Sequence, residues 1–380
     1  MFLLCFCKIR IRLHRTRPLN KKRGCGKTHA APSNPIRSGK LESNALLLYN
    51  RSGIALRPRR RCPGSVGRRL RPASPVRRTA AAGKGRGSNT VTTFEFYRFR
   101  FHFRALDPLH FPQGKSANVV RGAFGTVLHD AVPPEVYARL FEPGATLGPA
   151  PSGLADWPRP FVLRVAHLDG LIIPVGEALY LDAHVFDLHQ PALAHFRAAL
   201  ARLAEKGLGP GRGRAQLERT EQLDLAGGAQ PVFETPAGPS VVELDRQPAQ
   251  VAAVTVRFLT PTELKAGGEL AQRPEFPILF GRLRDRISTL RALWGQGPLD
   301  IDFRAMGERA TAVRMRRCEL AWEQVKRRSG RTGQVHSIGG FTGEAEYEGD
   351  LAEFVPWLHA ARWVGVGRQT VWGKGDVRVG

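Results

Sequence analysis

One order of elements occurs twice between residue 93 and the end of this 380-residue chain, and it constrains the fold more than any other feature. FEFYRFRFHFRAL (94–106) alternates Phe with polar residues, the period of a strand. ANVVRGAFGTVLHDA (117–131) repeats its apolar residues at helical spacing. FVLRVAHL (161–168) and EALYLDAHVFD (177–187) read as strands, ALAHFRAALARLAEK (192–206) as a helix, and AQLERTEQL (215–223) as a closing strand. The second half repeats this order. It predicts a strand at 250–260, a helix at 276–295, strands at 318–327 and 340–348, a helix at 351–365 starting near Pro356, and a short strand at 376–379.

Strand, helix, strand, strand, helix, strand is the split βαβ order of a ferredoxin-like unit. The expectation is an α+β chain of two tandem ferredoxin-like (RRM-like) domains, residues 93–245 and 246–380. In both halves a glycine-basic loop lies between the second helix and the last strand: GLGPGRGR (207–214) and GVGRQTVWGKG (365–375). Glycine permits positive φ and close backbone approach, and successive free amides in such a turn can hold an anion. Gly365, Gly367, Gly373 and Gly375, with Arg368 and Lys374, form one candidate phosphate site, and Arg212 and Arg214 another. The alternative is a tight loop packed over a sheet, with glycine needed only for the turns.

Charge separates this body from what precedes it. The formal net charge is +25, but residues 1–90 hold 23 Lys and Arg against one acidic residue, leaving the body at only +3. RNA binding by the body must therefore rest on local patches. Residues 1–92 are rich in Arg, Pro, Gly and Ser and can bury little, so disorder is expected, and with it dispensability for folding. Three readings fit this stretch: a basic nucleic-acid-binding arm, an organelle presequence, or translation from an upstream start through non-coding sequence. The last is preferred. Four of the five cysteines lie there, leaving Cys318 alone in the body, too few for an internal disulfide or a Cys-based zinc site. No apolar run has the length of a membrane span, and the chain reads as cytoplasmic.

The glycine pattern Gly365-x-Gly367, five residues, Gly373-x-Gly375 resembles the C-terminal glycine-rich motif of the RAMP superfamily. RALDPLHFPQGKSANVVRGAFGTVLHDA, YARLFEP (137–143) and WEQVKRRSGRTGQVHSIGGFTGEAEYEGDL narrow the likeness to the CRISPR-associated endoribonucleases that cut precursor CRISPR RNA. Many such relatives carry a cysteine-rich insert before the segment like YARLFEP; here the link is only VPPEV (132–136). The resemblance implies CRISPR repeat RNA as partner, other CRISPR effector subunits as further partners, and cleavage without metal or cofactor. In that chemistry the RNA's own 2′-OH attacks the adjacent phosphate, leaving a 2′,3′-cyclic phosphate and a 5′-OH. A base, an acid and a cation suffice, so His, Tyr, Lys and Arg are the residue types to look for. The glycine motif is shared with non-cutting RAMP subunits, so a guide-RNA-binding subunit is the competing reading.

His129 is the first candidate for proton transfer. Helical spacing puts it with Gly122 and Gly125 opposite the face of Val120, Phe124, Val127, Leu128 and Ala131. Two missing side chains would let a backbone approach there, whether RNA or a packed neighbour. Lys115 precedes the same helix, where free amides attract phosphate, and His110 in that loop competes as acid or base. Arg331 and His336, in the basic run after the strand at 318–327, are candidate RNA contacts. Phe94, Phe96, Phe99, Phe101 and Phe103 divide between core and base stacking without a way to assign them. A structure with His129 far from the cleft of the glycine loops would favour the non-cutting reading.

Overall fold

The computed structural model describes residues 91–147, 157–247, 249–324, 326–328, 335–337 and 339–380. It is a mixed α/β structure with antiparallel sheets. The first half contains β1 (Thr93–Ala105), α1 (Ser116–Ala131), α2 (Pro134–Phe141), β2 (Phe161–Arg164), β3 (Ala178–Val185), α3 (Leu193–Lys206), β4 (Ala215–Leu223), β5 (Ala229–Pro231) and β6 (Ser240–Glu243). The second contains β7 (Ala253–Thr262), α4 (Phe276–Trp294), α5 (Phe303–Ala310), β8 (Arg314–Glu323), β9 (Gly340–Glu348), α6 (Val355–Val364) and β10 (Val377–Val379).

The first sheet runs β2-β3-β1-β4-β5, with β6 pairing the start of β1; the second runs β8-β9-β7-β10. Counting only the four strands foreseen in each half, both sheets carry the same order, second-third-first-fourth. Each first strand is therefore central, and each last strand returns beside it after the second helix.

β1 serves two cores. Phe99, Phe101 and Phe103 pack with Val120, Phe124, Phe196 and Leu200 from α1 and α3. Phe94 and Phe96, on the other side of the strand, join Val256, Phe258, Tyr347, Trp357 and Trp363 of the second half. All five phenylalanines are at most 1 % exposed, so none is free to stack a base. Burial of each such side chain contributes about 1.5–3 kcal/mol. Beyond Phe96 the same side of β1 carries Arg98, Arg100, His102 and Arg104. Arg100 binds Asp182 through Nε and Nη2 (2.7 and 2.8 Å), His102 meets Glu221 (2.6 Å) and Arg104 meets Glu218 (2.7 Å).

Element ends follow local chemistry. α3 stops at Gly207 (φ 104°) and α6 at Gly365 (φ 74°), both in the positive-φ region that glycine tolerates. Pro356 sits in the first turn of α6, where its missing amide costs nothing, so the helix expected from 351 starts at Val355. The strand expected at 318–327 is β8, ending at Glu323, followed by a short ladder of Lys326–Arg328 with Val335–Ser337. α2 and α5 were not foreseen. α2 begins on Pro134 directly after Pro133, a pair that reads as loop in sequence but suits a first helical turn.

Candidate functional site

The C-terminal glycine loop folds back onto the first half. A Cβ on Gly373 would fall inside the van der Waals shell of the Ala117 side chain, in the first turn of α1. The Arg121 guanidinium lies 3.5 Å from the ring centroid of Trp372 in that loop and 4.7 Å from that of Phe141. Lys374 Nζ reaches the Gly114 carbonyl at 3.4 Å. Gly367 and Gly375 face the backbone carbonyls of Glu263 and Val366. Close packing of protein on protein thus accounts for these three glycines.

The loop's amides are also largely committed. Val366 N donates to Gly375 O, Arg368 N to Glu263 O, Gly373 N to Thr370 O and Gly375 N to Pro261 O. The expected cradle of free amides is corrected accordingly: what this loop offers an anion is its side chains. Arg368 is exposed and pairs with the Glu263 carboxylate. Lys374 is 5 % exposed.

Lys374 lines a cleft between the halves, together with Gln113, Gly114, Ala117, Ala166, Asp169, Leu259, Glu323 and Trp372. Burial pushes the Lys374 ammonium below its ordinary pKa, and the charges of Asp169 and Glu323 oppose the shift. Asp169 Oδ1 accepts the Ser116 amide at 2.9 Å, supplying from another loop the cap that Lys115 does not. The cleft therefore meets the N-terminus of α1, which favours negative charge.

The expected residues fall into groups. Lys115 is exposed beside Gly114, next to Lys374. His110 is exposed and belongs with the first glycine loop, whose Gly209 and Gly213 pack on the carbonyls of His110 and Pro108. Arg214 in that loop is tied to Asp107 (2.7 Å), and Arg212 is exposed with φ 50°. His129 belongs to neither group. It lies about 18 Å along α1 from Ala117, its side chain 68 % exposed, next to Asp130 and edge-on to Tyr137. The bare helical face is corrected too: the Phe141 ring of α2 covers Gly125, while Gly122 is open. His336 lies in a strand whose backbone pairs with Arg327, and Arg331 is outside the described residues. Among the described residues, no group of three or more His, Cys, Asp or Glu is arranged to hold a metal, and no helix is long and apolar enough to cross a membrane.

Sequence reasoning missed Asp169, Glu323 and Trp372 as members of this cleft. Each owes its place to contacts between distant segments, and no local spacing marks them.

Comparison with known proteins bears on both halves. Residues 94–245 match a family described as an N-terminal domain, and residues 256–377 match CRISPR-associated endoribonuclease Cas6. The matched region contains the glycine loop, Arg368 and Lys374, and the resemblance read from Gly365 to Gly375 agrees with it. No curated protein matches the chain. Among solved structures, a Cas6 product complex is 21 % identical, with 76 % of this chain and 99 % of that one covered at a TM-score of 0.45. A Thermus thermophilus Cas6 is 18 % identical, covering 76 % and 99 % at 0.43. A RAMP protein binding different RNA substrates is 13 % identical, covering 74 % and 99 % at 0.39. With scores below 0.5, these likenesses add nothing to the family match and the geometry of this chain.

Proposed function

We propose that this protein cuts precursor CRISPR RNA within its repeats, through attack of the RNA's 2′-OH on the neighbouring phosphate. The observation that carries the reading is the docking of the glycine loop of the Cas6 region on the start of α1, with Lys374 withdrawn from water in the resulting cleft. A desolvated ammonium beside a helix N-terminus suits a phosphate whose charge grows in the transition state. Lys115 and Arg368 are exposed nearby and serve as phosphate contacts. We read residues 93–245 and 246–380 as two ferredoxin-like domains, supported by the shared strand order of the two sheets.

The test is incubation of the full chain with a labelled repeat RNA in EDTA. The nucleophile belongs to the RNA, so cleavage should persist and give a 2′,3′-cyclic phosphate and a 5′-OH. A repeat with a 2′-deoxy sugar at the cut site should bind and resist. The position of His129, away from the cleft, favours a second reading: a subunit that holds CRISPR RNA without cutting it. Tight binding of repeat RNA with no cleavage would establish that reading instead.

A further inference from the structure

We infer that the outer edge of β8 pairs with the same edge of a second copy of this chain, antiparallel and centred on Leu320. This goes beyond the endoribonuclease reading and does not depend on it.

β8 ends the second sheet, with β9 on one side and, among the described residues, no strand on the other. The other sheet ends are short. β2 has four residues, β5 three and β10 three, and β5 ends on Pro231. β8 has ten, none of them buried and none a proline. A long edge strand leaves a row of N–H and C=O groups that a further strand can satisfy.

The side chains say which strand fits. Cys318, Leu320 and Trp322 lie opposite Ala345, Gly343 and Phe341 of β9, on the side of the sheet that faces the core. Trp322 is nevertheless 43 % exposed. Arg317, Glu319, Ala321 and Glu323 alternate with them on the other face. Arg317 lies within 4.0 Å of three carboxylates, those of Glu319, Glu344 and Glu346. Glu323 accepts the Thr342 hydroxyl at 2.8 Å and has no ion pair among the described residues.

The register follows from the backbone. A bulge between Met315 and Arg317 interrupts the ladder, so the regular stretch is 317–323. Opposite residues in an antiparallel pair turn their N–H and C=O groups the same way, both toward the partner or both away. Identical strands therefore oppose residues an even number of positions apart. Laying 317–323 on itself meets this condition, with Leu320 on the two-fold axis. Arg317 then faces Glu323 of the second copy, Cys318 faces Trp322, and Glu319 faces Ala321, each pair occurring twice. Glu323 gains a guanidinium and the Trp322 indole an apolar neighbour. Sliding by two residues one way sets Glu319 against Glu319, and the other way against Glu323, so like charges penalise both slips. The edge is thus self-complementary, as a two-fold interface requires. Glu323 also lines the cleft that holds Lys374, so the second copy brings its Arg317 to that wall.

Sedimentation equilibrium of the full chain should show a species of twice the chain mass that weakens with added salt. Arg317→Glu alone and Glu323→Arg alone each set like charges opposite at both ends of the pair, and each should raise the dimer dissociation constant roughly tenfold. Mixed in equal amounts, the two variants should pair with each other as tightly as wild type, because every altered position then meets its opposite charge. That recovery also shows that both variants fold. With Cys5, Cys7, Cys25 and Cys62 replaced by Ser, Trp322→Cys should cross-link between chains on mild oxidation and lose the cross-link when Cys318→Ser is added. A monomer at every concentration, a dimer indifferent to both charge reversals, or a cross-link that survives Cys318→Ser overturns the inference.

Discussion

Glycines in this chain do opposite work, and substitution separates them. Gly373 has φ 73° and no room beside Ala117. Gly373→Ala should lower stability by about 1–3 kcal/mol, because the loop must lift from α1, and it should weaken RNA cleavage with it. Gly122 lies within α1 with nothing inside 4 Å of a built Cβ. Gly122→Ala should stabilise by about 0.5–1 kcal/mol. Paired denaturant titrations check both signs. Equal effects would mean that the loop is not seated on the helix. At this scale the sequence was informative where a residue type had a local reason. Gly365, Gly367, Gly373 and Gly375 stood out by spacing, and all four have positive φ. It was silent on what the loop touches, because Ala117 and Asp169 are ordinary residues that matter only by where the chain brings them.

Among the elements, the end of α6 is held by side-chain donors, two of them arginines. The Arg362 carbonyl accepts Arg164 Nη2 (3.2 Å), the Trp363 carbonyl accepts His184 Nδ1 (2.8 Å) and the Val364 carbonyl accepts Arg286 Nε (2.9 Å). Such donors suit the negative end of a helix. Arg164 and His184 come from β2 and β3, so the first half fixes the helix that leads into the glycine loop. Burial, reinforced by Arg164, pushes His184 well below its ordinary pKa. Below about pH 6.5 the unfolded chain binds a proton that the folded histidine refuses. Stability should therefore fall as pH drops from 6.5 toward the folded pKa, by about 1.4 kcal/mol per pH unit at most for this group. His184→Gln should flatten that slope in urea titrations across pH 5–8, and an unchanged slope would place the proton uptake elsewhere. The helices and strands with clean periodicity were legible: β4 and β9 match their expected spans. α2 was not, because its Pro-Pro start and mixed face look like a connector until Tyr137, Leu140 and Phe141 pack against α1.

From β1 onward the two cores share one strand. Phe94 and Phe96 lie in one core and Phe99, Phe101 and Phe103 in the other, so neither sheet closes its interior without β1. Unfolding should be a single transition in which far-ultraviolet circular dichroism and tryptophan fluorescence coincide. Phe96→Ala should lower the whole transition by about 3–5 kcal/mol rather than split it, and two separated transitions would contradict the shared strand. The doubled order of elements was visible in the sequence, yet this sharing was not, since the alternating phenylalanines gave no sign of where one interior ended and the next began. For the cleft, the shared strand means that its two walls do not swing apart like a jaw. The burden of adjustment shifts to the nucleic acid, and repeats that kink or unpair readily at the cut site should be preferred even at positions no side chain touches.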